Sequence, residues 1–157
     1  MTVETVQIVG FDSAYAKDFA NLNYQWIAET YGIEPHDRDI LDHPYESVIE
    51  RGGEIFFAVS GSDVAGTVAM IPYENDAYEL TKMAVDPAFR GHGIGDKLME
   101  ACVELARGST RKRIILESNT KQVAAIQLYR KFGFRDTPLD PNSQYVRANI
   151  RMELIVL

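Results

Sequence analysis

The chain has 157 residues, 46% of them apolar and 25% charged, the make-up of one ordinary globular domain with core enough to fold without disulfides or metals. A formal charge of −7 argues against a general nucleic-acid binder, which needs a basic stripe, and a single cysteine, Cys102, excludes an internal disulfide. With no charged leader and no long apolar run, the expectation is a cytoplasmic protein with neither nucleic acid nor membrane as partner.

In chain order, residues 3–9 read as a first strand, with Val3, Ile8 and Val9 apolar and Gly10 ending it. Asp12 or Ser13 can cap the helix that follows, in which Tyr15, Phe19, Leu22 and Trp26 recur at three- and four-residue spacing as a stripe that packs on a sheet. Trp26, Tyr31, Glu34 and His36 collect at its far end and the loop beyond, a place where substrate groups are often met. Proline is tolerated only in the first turn of a helix, so Pro44 predicts a short turn over residues 37–41 and a helix over about 44–51, closed by Gly52 and Gly53. His43 either caps that helix or takes part in chemistry. Residues 55–59 and 64–71 form an antiparallel hairpin about Gly61, Ser62 and Asp63. A turn over residues 73–77 leads into a strand in which Thr81, Met83 and Val85 alternate with Leu80, Lys82 and Ala84, until Asp86 and Pro87 stop it.

Arg90-Gly91-His92-Gly93-Ile94-Gly95 comes next, followed by a helix with Ile94, Leu98, Cys102 and Leu105 on one face. A helix opened by glycines presents unpaired backbone N–H groups to any anion that can approach, so this turn is a candidate phosphate site. A P-loop would end in Gly-Lys-Ser or Gly-Lys-Thr, and here Asp96-Lys97 follows; the glycine spacing also fails the dinucleotide fingerprint. Cys102, on the apolar stripe, reads as a core thiol, and the basic cluster Arg107, Arg111, Lys112 and Arg113 as a solvated helix end. The turn resembles the acetyl-coenzyme A motif of the GCN5-related N-acetyltransferase (GNAT) superfamily: Arg90, Gly93 and Gly95 match its core, Val85-Asp86-Pro87 and Phe89-Arg90-Gly91 its surroundings.

Downstream, residues 113–117 form a short strand, Thr120 can cap a helix carrying Val123, Ile126 and Tyr129, and Gly133 ends it after Phe132. Residues 134–138, a polar loop over Asp140, Pro141, Asn142 and Ser143, and a last strand over about residues 145–155 close the chain. The block from Glu117-Ser118-Asn119 to Tyr129-Arg130-Lys131-Phe132-Gly133-Phe134 resembles the second signature of the same superfamily.

The resemblance implies one acyl-CoA N-acyltransferase domain over residues 1–157, of α/β (α+β) class: a central mixed, mostly antiparallel sheet of about seven strands flanked by helices. It implies acetyl-CoA as cofactor, held by Met83, Ala84, Val85, Arg90, Gly91, His92, Gly93, Ile94, Gly95, Asp96, Asn119, Ala125 and Tyr129, with no metal. The strands holding Met83 and Leu116 are then parallel and splay apart, and the backbone of Met83 and Val85 pairs with the pantetheine arm. Asn119 contacts that arm or nearby backbone. Tyr129 is the expected donor to the departing thiolate and Glu79 the expected acceptor of the amine proton, placed by strand alternation on the side of Met83 and Val85. Trp26, Tyr31, Glu34, His36, Tyr73, Tyr78, Tyr145 and Arg147 are the expected acceptor residues, the carboxylates and tyrosines suiting a cationic amine and Arg147 an acceptor carboxylate. The expected activity is direct acetyl transfer to a small-molecule or amino-acid-like primary amine. A protein or peptide acceptor and a catalytically silent acetyl-CoA sensor are the alternatives, and a homodimer is allowed.

Overall fold

Seven strands pair into one sheet in the computed structural model, which describes residues 5–157. The strands are β1 (Val6–Val9), β2 (Glu54–Ser60), β3 (Asp63–Tyr73), β4 (Ala77–Val85), β5 (Arg113–Ser118), β6 (Arg135–Thr137) and β7 (Ile150–Ile155), in the order β1-β2-β3-β4-β5-β7-β6. Val3 lies outside the described residues. All pairings are antiparallel except β4 with β5. A parallel pair requires a crossover, and the helix α3 (Ile94–Arg107) supplies it.

The two faces carry separate cores. Leu98, Met99 and Cys102 of α3 pack with Val68, Met70, Leu80 and Met152 of the sheet on the face that α4 (Val123–Lys131) also covers, whereas α1 (Ala16–Thr30) and α2 (Pro35–Leu41) cover Ile55, Phe57, Ala69 and Ile71. The stripe of α1 is rotated by one residue from expectation, its buried positions being Phe19, Asn23 and Ile27. Asn23 is accommodated because its amide donates to the Phe19 carbonyl at 3.0 Å and its oxygen accepts from the Trp26 indole at 3.2 Å.

Three local expectations are corrected. The helix before the hairpin is α2, over what was expected to be a turn, and it opens on Pro35; Pro44 precedes only a single wide turn, Tyr45–Ile49. Proline at the first helical position suits Pro35 equally, and the Glu34 N–H donates to the Asp37 carboxylate at 2.8 Å to close that first turn. The last strand starts at Ile150, because the preceding residues are drawn into side-chain contacts, and Thr120 does not cap α4, its N–H donating instead to Asn149 at 2.9 Å.

Strand β4 breaks its own alternation. Thr67 pairs with Ala84 and Ala69 with Thr81, so two steps on β3 oppose three on β4. The extra residue is a bulge, marked by Lys82 at φ 57, and it reverses the side to which following side chains point. Tyr78 and Leu80 before it, and Met83 and Val85 after it, therefore all join the core under α3. Beyond the slip, β4 also loses its neighbour: β4 and β5 pair only at Ala77–Arg113, Tyr78–Ile114 and Glu79–Ile115, then diverge.

Candidate functional site

The divergence of β4 from β5 opens a cleft of about 880 Å3. Its floor is the β4 edge from Leu80 to Val85; Arg90, Gly91, Gly93, Ile94, Gly95 and Asp96 wall one part, Asn119, Ala125 and Tyr129 another, and Trp26, Tyr31, Tyr145 and Arg147 a third. The two sequence blocks thus converge on one cavity. His92 is exposed at the turn but does not line it.

Local forces fix the glycine turn. The Asp86 N–H donates to the Ala65 carbonyl at 2.8 Å, and the Asp86 carboxylate accepts from the Ala88 N–H at 2.9 Å, so β4 ends at a set place. Gly91 (φ 81) and Gly93 (φ 73) are left-handed, and an added Cβ at either would meet nothing within 4 Å. Conformation, not crowding, requires glycine there, and the space beyond is open. Gly93 caps α3, whose first amides are left without helical partners. Asp96 in that first turn is paired with Lys131 at 2.5 Å.

Tyr129 is 7% exposed, with its ring 5.8 Å from that of Phe134. Burial pushes its hydroxyl up to about 12, so it holds its proton at neutral pH. Glu79 is half-buried, and burial, then the neighbouring Glu117 carboxylate, push it up to about 7. The bulge overturns the expected side for Glu79: it does not share a face with Met83 and Val85, and it does not line the cleft, whereas Glu117 does.

The expected acceptor residues divide. Trp26 and Tyr31 pack edge to face at 6.3 Å, and the Tyr31 hydroxyl accepts from the Gln122 amide at 3.2 Å. Glu34 accepts from the Val146 N–H at 3.0 Å and from Arg147 at 3.2 Å without lining the cleft. His36 likewise lies off it, its ring 5.0 Å from Tyr145; burial, then Lys82, lower its pKa. Tyr73, at the β3 end opposite Ala77, and Tyr78, buried in the α3 core beneath Arg111, do not line the cleft. Tyr78 falls before the slip and points to that core with Leu80.

Two central residues escaped the sequence reading, Lys82 and Asp37. Lys82 is 5% exposed and lines the cleft; its Nζ is 2.9 Å from Asp37 Oδ1 and donates to the Tyr145 hydroxyl at 2.5 Å. Asp37 is fully buried and takes both Arg147 Nη atoms at 2.8 and 2.7 Å. Burial alone would raise its pKa, yet Arg147, Lys82 and the Glu34 N–H hold it well below the usual carboxylate range. Burial lowers the pKa of Lys82, with Asp37 opposing. The Glu34-Pro35 start with Asp37 three residues after Glu34 was the one available signal.

Comparison with known proteins gives the same direction. A sequence profile described as "Acetyltransferase (GNAT) family" matches residues 20–134. The chain is 31% identical over 104 residues to the N-acetyltransferase 8B of Rattus norvegicus, covering 63% of this chain and only 47% of that protein's length. It is 26% identical over 135 residues to a putative ribosomal protein bS18-alanine N-acetyltransferase of Bacillus subtilis, covering 85% of this chain and 80% of that one. A GNAT-family acetyltransferase from Staphylococcus aureus Mu50 superposes with a TM-score of 0.87 at 19% identity, over 98% of this chain and 100% of the other. The yncA putative acetyltransferase from Salmonella typhimurium, solved with its cofactor acetyl-CoA, does so with a TM-score of 0.77 at 19% identity, over 96% and 94%. These likenesses bear out the mixed seven-stranded fold, and since the profile runs from within α1 through the glycine turn to the end of α4, the chain belongs to the acetyltransferase (GNAT) family.

Proposed function

We propose that this chain transfers the acetyl group of acetyl-CoA directly to a primary amine of a small molecule. The observation that carries the size of the acceptor is the way the cleft is roofed on the aromatic side. Gln122 reaches Tyr31 and the Asn119 amide donates to the Arg147 carbonyl at 2.8 Å, all four lining the cleft, and Glu34 takes the Val146 N–H beside it, so the ends of α1, α2 and α4 and the segment before β7 are tied together on that side. An extended peptide would have to undo these ties, whereas a small amine would not.

The residues present fit coenzyme A. Open space off Gly91 and Gly93 beside the unpartnered amides of α3 suits a diphosphate, with Arg90 adjacent, and the unpaired β4 edge at Met83 and Val85 suits an amide-bearing arm. When bound, acetyl-CoA supplies an acetyl group activated as a thioester. Tyr129 keeps a proton at Oη for a departing sulfur, and Glu79, through water, takes the proton of the acceptor amine. Asn119 positions the roof, its amide being engaged by Arg147 and its oxygen by the Lys121 N–H at 2.9 Å. Cys102 is fully buried and burial raises its pKa, which supports direct transfer over an acetyl-cysteine route.

The test is a calorimetric titration with acetyl-CoA and with pantetheine, which lacks the diphosphate, alongside the Gly93→Asp variant. The expected result is a loss of about a hundredfold or more in affinity for pantetheine and for Gly93→Asp. Equal affinities would sink the cofactor assignment. A second reading, acetylation of a protein N-terminus, is favoured by the likeness to the Bacillus subtilis protein; thiol release with peptides starting in alanine but with no small amine would replace the first reading with it.

A further inference from the structure

Resting on that reading of the cleft, we infer that the acceptor is an amine without a carboxylate beside it, such as an arylalkylamine or alkyldiamine, and that free amino acids are rejected. The cations of the aromatic part of the cleft are Lys82 and Arg147, since Arg90 and Lys121 are exposed at its other walls. Both are already committed. Lys82 faces Asp37 at 2.9 Å and donates to Tyr145, and its Nζ sits 4.5 Å from the centre of that ring. Arg147 grips Asp37 through two nitrogens at 2.8 and 2.7 Å, meets Glu34 at 3.2 Å, and lies 4.5 Å from the Tyr145 ring centre and 5.7 Å from that of Tyr31. Two cations against two carboxylates leave no net positive charge. An acceptor carboxylate that recruited either cation would compete with Asp37 for it, stripping a fully buried carboxylate of one of its two partners.

The rest of this region points the same way. Glu29 and Glu117 line the cleft and Glu79 lies close enough to Glu117 to feel its charge, so a carboxylate brought in with the amine would face like charge, while an ammonium would be drawn in. Trp26 and Tyr31 line the same region and offer apolar ring surface to the body of the acceptor. The cleft is therefore built to attract the amine by charge and to refuse its α-carboxylated counterpart.

Matched pairs that differ only by that carboxylate test the inference: tyramine with tyrosine, tryptamine with tryptophan, and cadaverine with lysine. Thiol release from acetyl-CoA is followed for each, with tyrosine amide as the charge-removed control and acetyl-CoA binding measured on the same protein. The amine should exceed its amino acid in kcat/KM by about a hundredfold or more, with tyrosine amide close to tyramine. Amino acids used as well as or better than their amines would overturn the inference and leave acetyl transfer standing. Silence from every pair despite acetyl-CoA binding would overturn both. Asp37→Asn and Glu34→Gln loosen the cations and should narrow the gap at least about threefold; where Asp37→Asn fails to fold, Glu34→Gln decides. A gap unchanged in every folded variant would overturn the role of the ion cluster.

Discussion

Tyr129 and Glu79 are set apart by burial in opposite senses of use. Burial keeps the phenol protonated with its pKa near about 12, a donor at any working pH, while burial and Glu117 bring the Glu79 carboxyl to about 7, where it can exchange a proton. Tyr129→Phe should lower turnover by roughly ten- to ten-thousand-fold with acetyl-CoA affinity little changed. In the parent, kcat/KM should rise as pH passes through about 7, and Glu79→Gln should remove that inflection; an inflection that persists assigns the titration to another group. Stability supplies an independent check. The folded pKa of Glu79 lies above the ordinary value, so the folded state holds the extra proton between about 4.5 and 7, and stability is lost as pH rises through that window. Glu79→Gln, which cannot ionise, should be more stable than the parent at pH 8, by up to about 3 kcal/mol, and not at pH 4. Sequence alternation named this residue but gave it the wrong side, because a single extra residue at Lys82 is a product of pairing with β3 and leaves no trace in composition.

At the scale of elements, the junction of α2, β4 and the segment before β7 rests on Asp37. Removing the carboxylate leaves Lys82 and Arg147 facing one another without it, so Asp37→Asn should cost about 3–5 kcal/mol in urea unfolding. Asp136→Asn, which breaks the exposed Arg130–Asp136 pair at 2.8 Å, should cost under about 1 kcal/mol, and parity between the two variants would refute the distinction. Elements read from local rules were legible: the capped start at Asp12, the hairpin, the glycine turn and the stripe of α3 all stand where residue chemistry put them. Those decided at a distance were not. The Lys82–Asp37 pair joins residues 45 positions apart, residues 145–149 give up strand pairing to side-chain ties, and Pro35 and Pro44 carry the same local signal for a helix start.

Across the whole molecule, the charge of −7 acts at long range on whatever approaches. A cationic acceptor is steered toward an acidic protein, and salt weakens that attraction once the screening length falls below the distances involved. At saturating acetyl-CoA, kcat/KM for cadaverine should therefore fall severalfold as ionic strength is raised from about 20 to 300 mM, and that for a neutral amine should not. A flat response for cadaverine would mean that capture depends on contact inside the cleft alone.

The seam between β4 and β5, three residue pairs long, divides the sheet into a meander of four strands and a set of three. In the first set β2, β3 and β4 follow one another through tight turns, while β1 joins β2 across α1 and α2; the second set must wait for α3 to carry the chain across. Assembly is thus expected to run in two steps, with docking of the second set late and its detachment the easiest large opening of the native state. A ligand gripping both the glycine turn and α4 would span the seam and act as a clasp, so occupancy of the cleft would slow the whole chain's exchange with solvent and not only that of the residues it touches.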